Sequence, residues 1–384
     1  MGAHRIAATR GMVRERAAEL SVHRVVMPGT GARSFTVVGP DLEPIEAIES
    51  YLAHLAALER SPNTIRAYAT SLKLYFEYLA GRQRAWEAGD LDDVGRFLSW
   101  LRSPAEGVIL LDATAARRSA ATVNRHLAAV FGFYEFHLRR GVPLATELVS
   151  WRRGGRGSYK PFLDQVGGRA RRTPRRPVRL RVPRKLPKTL TAQEVATLLA
   201  ACTHLRDRFL LALLSETGMR IGQALGLRHE DFVSRQRTVR IVPRDDNANE
   251  VRAKCRDAVA IPVSAGLVRL YSSYLFDEYG DLDSDYVFVN LFAPPIGRPL
   301  RYSAVGSLVE RLRSATGVDF TLHMLRHSAA SDMIRRGVPI EIVSKMLTHA
   351  NVTTTSQTYV HLGVEDLRSE LAKAGVLAAS ESPL

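Results

Sequence analysis

The stretch from 151 to 188 decides how this chain can fold. It holds 14 Lys or Arg against a single acid, Asp164, and contains five prolines. Its net charge of +13 is most of the chain's formal +15. A segment so charged and so rich in proline cannot bury a core, and it reads as a linker able to cross a phosphate backbone. A solvated connector without a partner is the plainer reading of the same charges. The 384 residues then fall into two folding regions, a natural division at this length. The expected boundaries are an N-terminal extension over 1–40, a helical domain over 41–148, the basic linker over 149–188, and a second domain with its tail over 189–384.

With 46% hydrophobic residues the chain can bury real cores, which argues against global disorder. A pI near 10.2 favours a polyanionic partner: DNA, RNA or an anionic membrane surface. No apolar run reaches the roughly 18 residues of a membrane span, and the N-terminus lacks the apolar centre of a signal peptide. Cys202 and Cys255 show no metal-ligand spacing and read as free thiols of a reducing cytosol.

In the first region Ile45, Ile48, Leu52 and Leu55 fall at helical spacing. Ser61-Pro62 opens a second helix, with Ser61 as N-cap and Pro62 in the first helical position. A third helix carries Val94, Phe97, Leu98 and Leu101, and a fourth runs from about Thr122 to Leu138 before Gly141-Val142-Pro143. Ahead of them, Val25 to Met27 and Phe35 to Val38 have the character of short strands. In the second region Thr191 and Glu194 form a capping-box pattern, and helical patterns follow at 195–201, 208–215 and 221–227. A β section covers 238–242 and 251–262 around a turn rich in Asp and Asn, and a short strand is expected at Tyr286 to Val289. Helices resume at about 265–278, 302–315, 323–336 and 340–347 and in the tail. The fold class expected is mostly α with a small antiparallel sheet.

The chemistry concentrates late in the chain. His323 and Arg326 lie three apart at the start of a helix with Thr321 as N-cap, so they share a face. A helix start favours anions, and an arginine there can hold a phosphate through two parallel hydrogen bonds. Arg220 follows Thr-Gly-Met, where Gly218 breaks the preceding helix. His349 and Tyr359 come ten residues apart near the end. Tyrosine ionises near pH 10, so reaching tyrosinate at neutral pH costs about 4 kcal/mol and needs a base or strong positive charge. The two arginines and the histidines supply both. Each residue alone is compatible with an ordinary surface or half-buried side chain; together they form a set for attacking a phosphodiester with a tyrosine hydroxyl.

The joint pattern resembles the tyrosine recombinases, or phage-type integrases, which include chromosome-dimer resolvases, phage integrases and a class of transposases. The resemblance covers most of the chain. Residues 43–145, with Ser-Pro-Asn-Thr-Ile-Arg-Ala-Tyr68, look like that family's all-helical, SAM-like core-binding domain, and 189–375 look like its mixed α+β catalytic domain. The resemblance implies that Arg220 and Arg326 hold the scissile phosphate and that His323 serves proton transfer. It implies that His349 hydrogen-bonds the phosphate and that Tyr359 is the nucleophile. It also implies a hairpin lysine as general acid, for which Lys254 is the candidate. Arg252 and Arg256 flank it, but arginine is a poor proton donor.

The implied activity is site-specific cutting and rejoining of double-stranded DNA through a 3′-phosphotyrosyl link, without cofactor, metal or ATP. Implied partners are DNA, a homo-tetramer on synapsed sites and accessory recombination proteins, with no membrane, in the cytoplasm on the nucleoid. DNA contacts are expected from Arg66 and Arg125 in the helical domain and from Arg152, Arg153, Arg171, Arg172, Arg175 and Arg176 in the linker. A mobile-element enzyme fits the long basic linker. Two other readings are a type IB topoisomerase-like enzyme and a catalytically silent DNA-binding accessory protein.

The chain departs from the family pattern at several points. Gln223 stands where many members have Glu, and Leu347-Thr348-His349 replaces the usual Leu-Gly-His. The interval from His349 to Tyr359 is ten residues where nine is common, and the turn before Lys254 is long. The placement of His349 is where these departures bear.

Overall fold

The computed structural model describes residues 19–26, 33–103, 118–145, 148, 150–152, 173–175, 178–182, 187–244, 246–251, 253 and 257–348. The chain divides into two compact units, Met1–Pro183 and Arg184–Leu384. The architecture is mostly helical with small antiparallel sheets.

The first unit opens with an antiparallel hairpin, β1 (Ser21–Val26) and β2 (Arg33–Val38), in register from Ser21↔Val38 to Val26↔Arg33. Among the described residues four α-helices follow: α1 (Glu46–Ala57), α2 (Pro62–Ala80), α3 (Leu91–Arg102) and α4 (Ala120–Arg139). Their bounds come from local chemistry. Ser61 caps α2 by accepting from the Thr64 amide, as expected from Ser-Pro, and Asp90 and Asp93 form a reciprocal capping box on α3.

Helix α4 is the hub. Leu127, Val130, Phe133 and Tyr134 are buried against α1, α2 and α3. A Cβ at Gly132 would overlap the Tyr51 hydroxyl, so glycine is what lets α1 close on α4. The hairpin belongs to the same core, through Leu20 and the fully buried Val37. Inside it, Ser71 Oγ donates to the Ala67 carbonyl, which leaves His126 Nδ1–H to donate to that hydroxyl at 3.0 Å. Burial, then the charges of Arg118 and Arg125, depress this imidazole to about 4.

The basic stretch behaves differently from a free linker where it is described. Strands β3 (Ser150–Arg152) and β4 (Thr173–Arg175) pair antiparallel. Beyond them, Val178 and Leu180 pack on the helical core while Arg179 and Arg181 are exposed. Asn124 of α4 grips this strap from both sides: its Nδ2 donates to the Leu180 carbonyl at 2.9 Å, and its Oδ1 accepts the Leu180 amide at 2.8 Å. The amide side chain thus imitates a neighbouring strand. A charge census hides this, because the two apolar residues are diluted among arginines.

The second unit holds α5 (Ala192–Ala200), α6 (Leu205–Thr217), α7 (Ile221–Leu225), the strands β5 (Phe232–Val233), β6 (Thr238–Ile241) and β7 (Val259–Pro262), then α8 (Ala265–Tyr274), α9 (Tyr302–Thr316), α10 (Leu322–Arg335) and α11 (Ile340–Met346). The sheet order is β5-β6-β7, all antiparallel. Thr191 and Glu194 make the capping box of α5, and Thr321 caps α10 by accepting from the Met324 amide. Helix α6 is central, with Phe209, Leu210, Leu213 and Leu214 buried between α8 and α10. Helix α8 continues into a π-helical turn over Leu275–Tyr279.

Two expectations need correction. Tyr286 to Val289 is not a strand. Its residues are buried, but the chain bends at Val287 and Phe288, and among the described residues it makes only single bridges, Arg228↔Tyr286 and Val289↔Pro299. Its other backbone groups are met singly: the Val287 amide by the Leu227 carbonyl and the Val287 carbonyl by Tyr274 Oη. Of the second β section expected over 251–262, the described residues 251, 253, 257 and 258 are not in a strand, and 252 and 254–256 lie outside the described residues. Glu250 takes a left-handed φ of +64°, and the described strand begins only at Val259. Among the described residues, no helix is long and apolar enough to cross a membrane.

Candidate active site

Gly218 ends α6 in the left-handed region, φ +65°, and turns the chain so that Arg220 stands at the entrance of α7. A Cβ at Gly218 would lie 2.8 Å from Leu347 Cδ2 and 3.4 Å from Ala329 Cβ. The tight glycine turn therefore brings three segments together: the α6–α7 junction, α10 and the end of α11.

Arg326 of α10 is 2% exposed, and its guanidinium spans that junction. Nη1 donates to the Gly218 carbonyl and Nη2 to the Leu347 carbonyl, both at 2.7 Å. Arg220 reaches the same place from the other side. Its Nη1 donates to Thr348 Oγ1 at 3.0 Å and lies 3.5 Å from the carbonyls of Leu347 and Thr348. A buried guanidinium is held by several charge-assisted bonds at once, which orients it as well as neutralising the cost of burial.

His323 lies one turn before Arg326. It is an exposed residue whose ring packs edge-on against His327, with centroids 4.5 Å apart. Partial enclosure, then the positive charges of Arg326 and Arg220, hold His323 below the ordinary imidazole range. His327 is pushed down to about 4 by burial, His323 and Arg326. Both imidazoles are neutral at pH 7, so His323 is able to accept a proton.

Of the six candidate catalytic residues, the structure brings Arg220, Arg326 and His323 into one neighbourhood. Lys254, His349 and Tyr359 lie outside the described residues. The residue just before His349 is placed, and it is Thr348 that bonds Arg220. Among the expected DNA contacts, Arg66 and Arg125 are exposed on α2 and α4, and the Arg66 guanidinium lies 5.8 Å from the centre of the Phe35 ring. Arg152 and Arg175 fall in the β3–β4 pair, whereas Arg153, Arg171, Arg172 and Arg176 lie outside the described residues.

Two features escaped the sequence. Asn247 and Asn249, expected in a turn rich in Asp and Asn, are buried. Asn249 Nδ2 donates at 2.9 Å to the carbonyls of Leu225, at the end of α7, and Leu300. It therefore ties the loop leading to Lys254 to the helix that Arg220 opens. The second is a bond between Gln223 and Thr348: Nε2 donates to Oγ1 at 2.7 Å. The two positions were visible as departures, but their meeting across 125 residues of sequence was not.

Known proteins share this chain's sequence pattern and its fold. Residues 188–365 match the phage integrase family, and residues 48–141 match the phage integrase N-terminal SAM-like domain. The chain is 36% identical over 357 residues to transposase A from transposon Tn554 of Staphylococcus aureus, covering 92% of this chain and 98% of that one. It is 31% identical to the tyrosine recombinase XerD of Mycobacterium leprae, covering 85% and 96%. Among solved structures, the fold is similar to the Tn1549 transposon integrase in complex with circular intermediate DNA, with a TM-score of 0.58 at 15% identity over 85% of this chain and 98% of that one. It is also similar to the XerH site-specific recombinase bound to a palindromic difH substrate, with a TM-score of 0.56 at 20% identity over 82% and 80%. At such identities the structural likeness speaks for the fold; the sequence matches speak for the family. The chain belongs to the phage integrase family, the tyrosine recombinases.

Proposed function

We propose that this recombinase cuts and rejoins double-stranded DNA with Tyr359 as nucleophile and with Arg220 and Arg326 as the two clamps on the scissile phosphate. The observation that carries the reading is the convergence of those guanidiniums on one carbonyl, Leu347, immediately before Thr348-His349. Their fixed positive charge is suited to the negative charge that builds on a phosphorane-like transition state.

In this mechanism the Tyr359 oxygen attacks phosphorus, and the bond to the 5′-oxygen breaks. A 3′-phosphotyrosyl link and a free 5′-hydroxyl result. Neutral His323 takes the tyrosine proton, Lys254 gives a proton to the leaving oxygen, and His349 hydrogen-bonds the phosphate. A 5′-hydroxyl from the partner strand then attacks the link and restores tyrosine. The phosphodiester energy is conserved, so this scheme calls on neither ATP nor a metal.

The helical domain over 41–148 and the catalytic domain over 189–384 grip the duplex, with the linker over 149–188 contributing to phosphate contact. Exposed Arg125, Arg179 and Arg181 give the helical unit the charge for that role. Strand exchange calls for a tetramer on paired sites, in the cytoplasm on the nucleoid, with accessory proteins as further partners. The Tn554 transposase match favours a mobile-element enzyme. The relatives do not favour either the topoisomerase-like or the silent accessory reading. Running a strand-exchange assay beside a supercoil-relaxation assay tests the activity. Recombinant product between two mapped sites supports the proposal, and relaxation without exchange contradicts it. Sedimentation of the synapsed complex at four protomers supports the tetramer, and protomers that sediment singly on synapsed DNA rule it out.

A further inference from the structure

Gln223 and Thr348 close a ring of hydrogen bonds around Arg220. The Arg220 amide donates to Gln223 Oε1 at 2.7 Å, Gln223 Nε2 donates to Thr348 Oγ1 at 2.7 Å, and Arg220 Nη1 donates to the same Oγ1 at 3.0 Å. The ring thus holds both the backbone and the guanidinium of Arg220. A hydroxyl oxygen has two lone pairs, and here it serves as acceptor for two donors.

The backbone at Thr348 makes the hydroxyl more telling. Its φ is +52°, in the left-handed region that β-branched residues avoid and glycine enters freely. Glycine would relieve that strain but would supply no acceptor. Gln223 complements the choice. A carboxylate at this position would accept rather than donate, and it would set a negative charge beside the arginine meant for phosphate.

We propose that Thr348 is a positioning residue for Arg220, held in place by Gln223, and that the two act as one unit. The proposal rests on Arg220 being a phosphate clamp. It also joins the two departures from the family pattern in a single hydrogen bond.

The test is single-turnover formation of the covalent adduct by the full chain on a nicked suicide duplex. The duplex carries a site mapped by sequencing protein–DNA adducts. Thr348→Gly is expected to stay folded, because relief of the left-handed strain offsets the lost hydrogen bonds, yet to form adduct about 10- to 100-fold more slowly. Thr348→Ser restores most of the rate, whereas Thr348→Ala does not. Gln223→Ala slows the step as well, and combining it with Thr348→Gly adds little further loss, as expected of a coupled pair. Duplex binding by gel shift stays within about threefold in all of these, since one hydroxyl contributes little to a phosphate-dominated interface.

Thr348→Gly cleaving at the wild-type rate, or Ser and Ala variants cleaving alike, overturns the proposal. Additive losses in the double variant overturn the coupling. An Arg220→Ala control separates this from the underlying reading. If that variant still cleaves, the clamp assignment fails. If it is inactive while Thr348→Gly is unimpaired, only the positioning role fails.

Discussion

Arg220 and Arg326 point at the same atom. The Leu347 carbonyl accepts from Arg326 Nη2 at 2.7 Å and lies 3.5 Å from Arg220 Nη1, so helices far apart in sequence aim two positive charges at one place. Like charges converge only where something holds them, and the carbonyls of Gly218 and Leu347 and the Thr348 hydroxyl do so.

Removing Arg326 takes the short bonds from two carbonyls at a buried junction and leaves the Leu347 carbonyl with only the longer contact to Arg220. Arg326→Met is expected to destabilise the catalytic unit by roughly 2–4 kcal/mol, the scale of losing charge-assisted bonds while stranding their acceptors. Urea unfolding of the full chain, followed by hydrogen exchange on α6 and α10, reads this. A loss below about 1 kcal/mol would mean that the junction does not depend on the guanidinium.

Gly218→Ala forces a Cβ against Leu347 Cδ2 and holds alanine at φ +65°. The expected cost is roughly 2–4 kcal/mol from backbone strain and overpacking together. Because Leu347 carries the shared acceptor, adduct formation should slow even at temperatures where the variant is folded. Wild-type rates at full occupancy of the folded state would contradict the role given to this turn.

The helix caps at Ser61, Thr191 and Thr321 were legible because a cap is a relation between residues three apart. The same holds for the break at Gly218. What stayed hidden was nonlocal. Tyr286 to Val289 looks like a strand in composition, but its backbone is satisfied by single bonds from separate segments. Asn249 looks like a turn residue, and only tertiary structure reveals two carbonyls converging on it. Arg220, Arg326 and His323 were nameable because their spacing carries a family resemblance. Gln223 and Thr348 were nameable only as deviations, since a hydrogen bond across the fold leaves no periodic trace.

Asn124→Ala should release the strap at Leu180 without unfolding α4. The two lost bonds are worth about 1–3 kcal/mol locally. Trypsin would then cut at Arg179 or Arg181 faster than in wild type, with the helical unit still resistant. Unchanged cleavage at these arginines would show that the clamp does not hold the strap.

Acid should weaken both units. His126 and His327 are depressed to about 4 from an ordinary 6.5, so between those values the unfolded chain binds more protons than the folded one. The stability they contribute is complete above about 6.5 and is lost as the pH falls toward 4. NMR titration of the imidazole C2 protons should find both rings still neutral at pH 5, and the melting temperature lower at pH 5 than at pH 7. Titration of either ring near 6.5 would contradict the burial assigned to it.

Tyr359, as the proposed nucleophile, should be the residue that becomes linked to DNA. Adducts trapped on a nicked suicide duplex, digested with nuclease and protease, locate the link by tandem mass spectrometry. A nucleotide 3′-phosphate on the peptide containing Tyr359, absent from Tyr359→Phe protein that still binds the duplex, is the predicted result. A linked residue other than Tyr359, or an adduct that survives the substitution, would contradict it.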